Sequence, residues 1–405
     1  MTAFLMTFGL GLLAAVLFSA LASRSPLSTS AVFLVAGVVA GPLLLDVVSV
    51  PRDTVESVAE VALFAVLFTD GQHASLGVFR RSGRSAARPL VVAMPLTFAL
   101  VAVLAHYLTG LPWGPACVLG AILAPTDPVF ASALVGREDV PRGVREVLNI
   151  ESGLNDGLAL PAVLIIAGTV GAHPHGYATD WPSLLLELAL GVVLGVVVPV
   201  VVVQLLRLPG IGVIDTLQPL GPLSLAVLLF ALCDVLDANR FLAAFIAGAT
   251  IATIRPGASD SFRHTGELIS EMVKGAALLA FAALLDGDVF GTAGWSGLLL
   301  AVAVVLLSRP LPVWLCLLGS NLSRRERIAA AWFGPKGFAS VAYGLIIAFS
   351  GMPYAGEVLA LTAVVVLVSV LAHSSTDVTV AKWWTEPRED LRSAERPGPT
   401  VIPSG

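Results

Sequence analysis

Charge is what this chain has least of. Only 13% of its 405 residues are Asp, Glu, Lys or Arg, 57% are apolar, and the mean hydropathy is +0.90. A soluble domain carries about a quarter charged residues to keep its surface wet, so the composition excludes an ordinary water-soluble globule. The net charge of -5 decides little, and no basic patch points to nucleic acid. Cysteine is also scarce. Cys117, Cys233 and Cys316 each stand alone in an apolar stretch, without zinc or redox spacing, and are read as packing residues. No basic residue precedes the apolar run from Phe4 to Leu21, as one would before a cleaved signal peptide, so that run is read as a retained first span. Nothing implies a cofactor.

What the chain has is apolar runs. A spanning helix needs roughly 20 mostly apolar residues, and thirteen such stretches are found, at about 4–22, 29–47, 56–71, 89–108, 113–135, 145–171, 183–206, 217–236, 240–254, 265–285, 293–318, 327–350 and 355–373. The fold class expected is therefore an all-α polytopic membrane protein of about 13 transmembrane helices. A single transmembrane domain would fill residues 1–384. The tail at 385–405 is charged and proline-rich, lacks apolar content to pack, and is read as cytoplasmic and disordered.

Cytoplasmic connections collect Lys and Arg. With the N-terminus outside, eighteen of the 23 basic residues fall inside, among them Arg80, Arg81, Arg84 and Arg88, then Arg255 and Arg263, then Arg324, Arg325 and Arg327. Only Arg52 and Arg240 fall outside, and Lys274, Arg309 and Lys336 lie within spans. The expectation is a multi-pass protein of the inner (plasma) membrane, N-terminus out and C-terminus in. An odd span count also suits six spans repeated in inverted orientation around a linking seventh. That arrangement pairs the fifth span, interrupted by Ala124-Pro125-Thr126-Asp127-Pro128, with the twelfth, interrupted by Gly334-Pro335-Lys336-Gly337. Paired breaks in two halves point to a transport site formed by discontinuous crossing helices.

Two prolines around Thr126-Asp127 should unwind the fifth span, and unwound backbone survives in a bilayer only against protein or a watery cavity. The Thr126 carbonyl and the Asp127 carboxylate are hard oxygen ligands suited to an alkali cation. The bland alternative is a proline kink with a hydrogen-bonded Asp. Against it, Asp127 has company: the sixth span carries Glu151-Ser152-Gly153-Leu154-Asn155-Asp156-Gly157. Spacing by four puts Ser152 beside Asp156 and Glu151 beside Asn155. An ionisable side chain at the bilayer centre costs roughly 2.5–3.5 kcal/mol, so each needs a partner or a purpose. Arg309 and Lys336 are the available cations. A packing ion pair with Arg309 accounts for Glu151; it accounts less well for Asp156, which has a neutral amide and a hydroxyl beside it.

With these motifs in this order the chain resembles the monovalent cation:proton antiporter-1 family, the sodium/proton exchangers and their bacterial relatives, over all thirteen spans. Gly334-Pro335-Lys336-Gly337 and Phe241-Leu242-Ala243-Ala244-Phe245-Ile246-Ala247-Gly248 add to the match. The resemblance implies a secondary transporter, not an enzyme, exchanging a monovalent cation for H+ by alternating access. Sodium is the first expectation, with lithium or potassium as alternatives, in the service of sodium transport and pH homeostasis. It implies that Asp156 alternately carries cation and proton, and that Asp127, Thr126, Ser152 and Asn155 complete the cation site. Glu151 would be bridged to Arg309, with Lys336 compensating charge. It further implies a core of about 89–171 and 293–373, a scaffold of about 4–71 and 183–285, and a homodimer in the lipid bilayer. The Asn155-Asp156 pair resembles electroneutral exchangers, whereas relatives with two adjacent aspartates tend to be electrogenic. Two departures stand out: Lys336 where the family usually has arginine, which leaves a proton-carrying role for Lys336 open, and Asp70 where members often have glutamate, so Asp70 is not relied on as a ligand.

Physical chemistry supplies a mechanism without the family. Burial disfavours a charged carboxylate and a nearby cation favours it, so one carboxylate can hold either a proton or an alkali ion. If only loaded forms cross, the two fluxes are linked. Other polar residues receive blander readings. His73, His106, His173, His175, His264 and His373 fall in loops or near span ends and are read as interfacial. Glu267, Glu271 and Lys274, spaced by four and three, are read as an intrahelical ion pair or cytoplasmic face, with gating as the alternative. Asp234, Asp237 and Glu187 are placed beside water. The rival functions are a sodium-coupled organic-anion symporter of the same fold type, a passive channel, which uphill coupled flux would exclude, and an intramembrane aspartyl protease using Asp127 and Asp156, against which stands the absence of a Gly-x-Gly-Asp run.

Overall fold

The computed structural model describes residues 2–17, 29–73, 89–127, 140–171, 181–206 and 217–385, with Leu208 and Ile214. All regular structure among them is helical. In chain order the helices are α1 (Thr2–Leu17), α2 (Thr29–Ala40), α3 (Arg52–His73), α4 (Met94–Thr109), α5 (Trp113–Ile122), α6 (Arg142–Thr169), α7 (Trp181–Leu205), α8 (Leu220–Val235), α9 (Arg240–Ile254), α10 (Pro256–Ala282), α11 (Gly287–Ala303), α12 (Pro310–Cys316), α13 (Arg324–Trp332), α14 (Phe338–Ala348) and α15 (Ala355–Thr385). Each predicted span contains at least one of them. Among the described residues, four stretches are long and apolar enough alone to cross a membrane: Leu90–Thr109, Pro182–Leu205, Gly287–Cys316 and Ala355–Thr376. The helical state follows from the solvent, since a backbone in hydrocarbon must satisfy its own N–H and C=O groups.

Helix ends show how local chemistry sets the boundaries. Asn239 and Asp286 cap α9 and α11 by accepting the N–H of Leu242 and Val289, each at 2.9 Å. Ser323 and Glu326 form a reciprocal capping box at the start of α13. Several boundaries differ from expectation, three of them with a plain local cause. α2 stops at Ala40, because Gly41-Pro42 ends the run. α10 starts at Pro256, well before residue 265, since proline suits a first helical position and the polar stretch after it continues the same helix. α15 runs past residue 373 to Thr385, with no Gly or Pro between Gly356 and Pro387 to stop it. The eleventh span is not one helix: a π-helical turn, Val304–Ser308, joins α11 to α12 and leaves Arg309 at the junction. Such turns are frequent at functional sites.

The helices pack in two sets. α3 lies against α9 and α10, α7 against α9, α10 against α2, and α8 against α9 and α10. In the second set α4 lies against α5 and α11, α5 against α6, α15 against α11 and α14, and α12 against α13. The closest approach of the first set is between α3 and α9, where a Cβ on Gly71 or Gly248 would run into the facing backbone of Phe245 or Phe68. Contact between the sets passes chiefly through α6 and α14 on one side and α3, α9 and α10 on the other. The buried acids lie along that seam.

Candidate functional site

Two interrupted segments cross in the interior. α5 ends at Ile122 and Ala124–Asp127 continue without helix; α13 ends at Trp332 and α14 begins at Phe338. Each break satisfies the other. The Asp127 N–H donates to the Pro335 carbonyl (2.9 Å), and the Phe338 N–H, first of α14, donates to Asp127 Oδ2 (2.8 Å). In return Lys336 Nζ donates to the carbonyls of Ala124 and Pro125, both at 3.2 Å, and the Ser340 hydroxyl to that of Ile122 (2.9 Å). A carboxylate thus sits at a helix N-terminus and an ammonium at a helix C-terminus, each against the complementary end of the dipole. Gly337 makes the approach possible: a Cβ there would stand 2.5 Å from that of Asp127.

α6 passes beside the crossing. Asn155 Nδ2 donates to both the carbonyl (2.8 Å) and the hydroxyl (2.9 Å) of Thr126. The main-chain carbonyl of the next residue, Asp156, accepts the Tyr343 hydroxyl from α14 at 2.7 Å. Asn155 Oδ1 and Asp156 Oδ1 are buried without a hydrogen-bond partner among the described residues. A buried acceptor left unsatisfied costs about 1–3 kcal/mol, more when charged, so a donor or a cation reaching either oxygen would relieve that cost. One turn before Asn155 on α6, Glu151 takes both Nη2 (2.8 Å) and Nε (3.2 Å) of Arg309, whose Nη1 reaches the carbonyls of Ala330 (3.0 Å) and Ala331 (2.7 Å). The side chain of Ser152, and Pro128, lie outside the described residues.

A cavity of about 240 Å³ opens on this arrangement. Asp127 and Asp156, 4% and 3% exposed, lie at its buried end with Lys274 and Phe338, while the side chains of His73 and Glu267, 43% and 50% exposed and 3.5 Å apart, lie at its outer end. Thr126, Asp127, Asn155, Asp156 and Lys336, singled out from separate motifs, are therefore brought together. Asp70 and Lys274 were given less weight, yet both line the cavity. Lys274 is bonded to Glu271 at 3.0 Å within α10, and that pair lines the cavity with Asp127 and Asp156. Their signal was positional: in a six-plus-six repeat the third span pairs with the tenth, as the fifth pairs with the twelfth. Tyr343 carries no signal in the sequence, being with Ser340 one of two hydroxyls on an otherwise apolar helix. Two placements change. Glu187 and His373, read as lying near water, are 7% and 4% exposed, because the Asn239 N–H at the head of α9 bonds the Glu187 carbonyl and the Trp332 ring at the end of α13 lies against His373. Another cavity, of about 260 Å³ between α7, α8 and α9, is lined mainly by apolar side chains such as Val202, Leu206 and Ile251 and holds none of these acids.

Residues 12–383, nearly the whole chain, match the sodium/hydrogen exchanger transmembrane family. The chain belongs to that family. Among curated members, the K(+)/H(+) antiporter NhaP2 of Shewanella sp. strain MR-4 is 25% identical over 375 residues, 91% of this chain and 64% of that protein. The K(+)/H(+) antiporter NhaP of Alkalimonas amylolytica is 23% identical over 397 residues, 94% and 66% respectively. This exchanger-family chain thus spans just under two thirds of the length of the curated relatives it matches. The sodium proton antiporter MjNhaP1 of Methanocaldococcus jannaschii superposes with a TM-score of 0.76 at 20% identity, over 94% of this chain and 97% of its own, which shows the antiporter fold. The family is one of transporters, and nothing favours the protease or organic-anion alternatives.

Proposed function

We propose that this exchanger-family chain moves a monovalent alkali cation one way and protons the other by alternating access, with Asp156 as the carrier. The observation that carries the reading is the buried, unpartnered Oδ1 of Asp156 beside a cavity. A carboxylate in that position is stabilised by either a proton or a cation. Asp127 contributes differently. Its Oδ2 is committed to the N-terminus of α14, so it supplies a fixed negative charge next to the carrier. Thr126 and the free amide oxygen of Asn155 add neutral oxygens of the type alkali ions accept, and Ser152, one turn before Asp156 on α6, is assigned as a further ligand. With Asn155 beside it carrying no titratable proton, Asp156 exchanges one charge for one charge, so exchange is electroneutral. Sodium, lithium and potassium all suit such ligands; the sequence put sodium first, and the relatives named above include both sodium and potassium antiporters.

The moving part is assigned to the set containing α4–α6 and α11–α15, and the static scaffold to α1–α3 and α7–α10. The seam between them supports this, since sliding there would carry Asp127 and Asp156 past Asp70 and Lys274. The Glu151–Arg309 pair ties α6 to the carbonyl end of α13, so the moving set shifts as one piece. The open end of the cavity lies at the C-terminus of α3 and the early part of α10, next in sequence to Arg80, Arg81, Arg84 and Arg88 and to Arg255 and Arg263. By the charge rule that end is cytoplasmic, which gives an N-out, C-in chain in the inner membrane with the cavity facing inward. The scaffold face would join two copies as a homodimer. The test is proton movement in proteoliposomes with an internal pH dye, on pulses of sodium, lithium or potassium, with and without a clamped membrane potential. Cation-evoked flux insensitive to the clamp supports electroneutral exchange and names the ion. No response to any of the three ions removes the reading.

A further inference from the structure

α13 ends in the interior, where its last carbonyls meet no water and no further turn. Ala329 serves the Phe333 N–H (3.0 Å), and Arg309 serves Ala330 and Ala331. The fourth, Trp332 O, faces His373 Nε2 of α15 at 3.1 Å. The other ring nitrogen, Nδ1, lies 2.7 Å from the Ser369 carbonyl oxygen and 3.3 Å from the Ser369 hydroxyl oxygen. That hydroxyl oxygen accepts the Lys336 backbone N–H at 2.8 Å. The Trp332 ring lies over the imidazole, centroids 5.2 Å apart, and its Nε1–H is held by Thr376 (2.9 Å). His373 and Ser369 therefore link the two ends of the α13–α14 break, Trp332 and Lys336.

This pocket holds the imidazole in two proton inventories without turning the ring. With a neutral ring, Nε2–H donates to Trp332 O and the Ser369 hydroxyl donates to Nδ1, whose lone pair then stands 2.7 Å from the Ser369 carbonyl oxygen, a repulsion that a second ring proton removes. With one more proton, Nε2–H is unchanged, Nδ1–H donates to Ser369 O, and the hydroxyl hydrogen must point elsewhere, while its oxygen still takes the Lys336 N–H. An imidazole between two backbone carbonyls is a proton site. The charges around it are Lys336 at the break and Arg309 at the head of α12, the latter paired with Glu151 of α6. On the other elements packed against α15, the titratable groups are Asp288 of α11, Tyr343 of α14 and Cys117 of α5; Arg324, Arg325, Glu326 and Arg327 are at the far end of α13, and Asp377 is one turn on along α15 itself.

We infer that His373 is a positioning residue of the exchanger: it takes up a proton behind the α13–α14 break, alters how Ser369 holds the Lys336 backbone, and so gives the maximal exchange rate its own dependence on pH. The inference rests on the exchange reading above for its effect on rate. Competition between proton and cation at Asp156 moves the half-saturating cation concentration, whereas a proton at His373 moves the rate at saturating cation. His373→Gln keeps an N–H donor for Trp332 O and cannot be charged. The experiment compares this variant with the wild type from about pH 4 to about pH 9, a window that brackets and extends below ordinary histidine titration. It reads the maximal rate in proteoliposomes and the melting temperature in detergent. The expected result is an inflection in the wild-type maximal rate that the variant lacks, and a melting-temperature difference between the two that changes with pH. Identical rate profiles, or a constant melting-temperature difference, overturn it. If the wild type shows no cation-evoked flux, a pH-dependent melting difference still upholds the proton site, and only the exchange reading is lost. Should His373→Gln not fold, Ser369→Ala serves: it removes the neutral-state donor, so a shifted inflection supports the inference and an unshifted one overturns it.

Discussion

Asp156 and Asp127 are adjacent acids with different commitments. Asp127 spends an oxygen and its own N–H on the α13–α14 break, whereas Asp156 keeps Oδ1 unpaired at the cavity. If a single carboxylate accepts either ligand, each cation bound displaces one proton. The half-saturating cation concentration should then rise as pH falls, approaching about tenfold per unit on the acid side, with flux against cation concentration at several pH values as the check; a value independent of pH would contradict a shared site. Glu151 and Arg309 form a different kind of pair. Both are buried, and breaking a buried pair by removing one partner costs about 3–5 kcal/mol. Arg309→Ala should therefore lower thermal stability in detergent strongly, and Glu151→Gln combined with Arg309→Met should lower it less than Arg309→Ala alone. The intramembrane acids and bases were legible in the sequence because hydropathy makes them conspicuous. Their partners were not, since Lys336 reaches the carbonyls of Ala124 and Pro125, over two hundred residues earlier in the chain, and no local spacing encodes that.

At the scale of elements, the crossing of the α5 end with α13–α14 organises the site. Proline at both breaks, with glycine beside it at the second, gave the interruptions away, and the repeat argument paired them correctly in space. The π-helical turn before α12 could not be read in this way, because Val304–Ser308 is as apolar as the helix before it; only Pro310 and Pro312 hint that the eleventh span does not run straight. The extensions of α10 and α15 were missed for the opposite reason: polar residues continue a helix as readily as apolar ones when nothing breaks it. The crossing itself makes a sharp expectation. Gly337→Ala puts a methyl group where Asp127 lies, so either α14 or Asp127 must move and the Phe338–Asp127 bond is lost. Exchange should fall at least tenfold, on the scale of a lost charge-assisted hydrogen bond of about 1.5–3 kcal/mol, while gel filtration still shows folded protein. Wild-type flux from Gly337→Ala would mean that the crossing tolerates separation.

For the whole molecule, the two packing sets and the seam between them translate into a topology and a motion. The thirteen apolar stretches were read from composition, and each holds a helix. The charge bias gave the sidedness, which is a proposal with a direct check: a single cysteine at Trp295, whose side chain lies on an exposed face of α11, is less informative than one in the basic stretch at Arg84, which an impermeant thiol reagent should label only from the cytoplasmic side. Labelling of that position from outside intact cells would invert the topology and with it the direction in which the cavity faces. What composition could not supply is the cavity, because Asp70 and Lys274 come to the acids of α5 and α6 only through the packing of α3 and α10 against α14. The account as a whole depends on one side chain. The most direct measurement is cation-evoked proton flux in proteoliposomes containing Asp156→Asn beside wild type, at matched protein density and with matched melting temperatures. The account predicts a folded protein with no exchange under any of the three alkali cations; exchange at the wild-type rate from Asp156→Asn would contradict it.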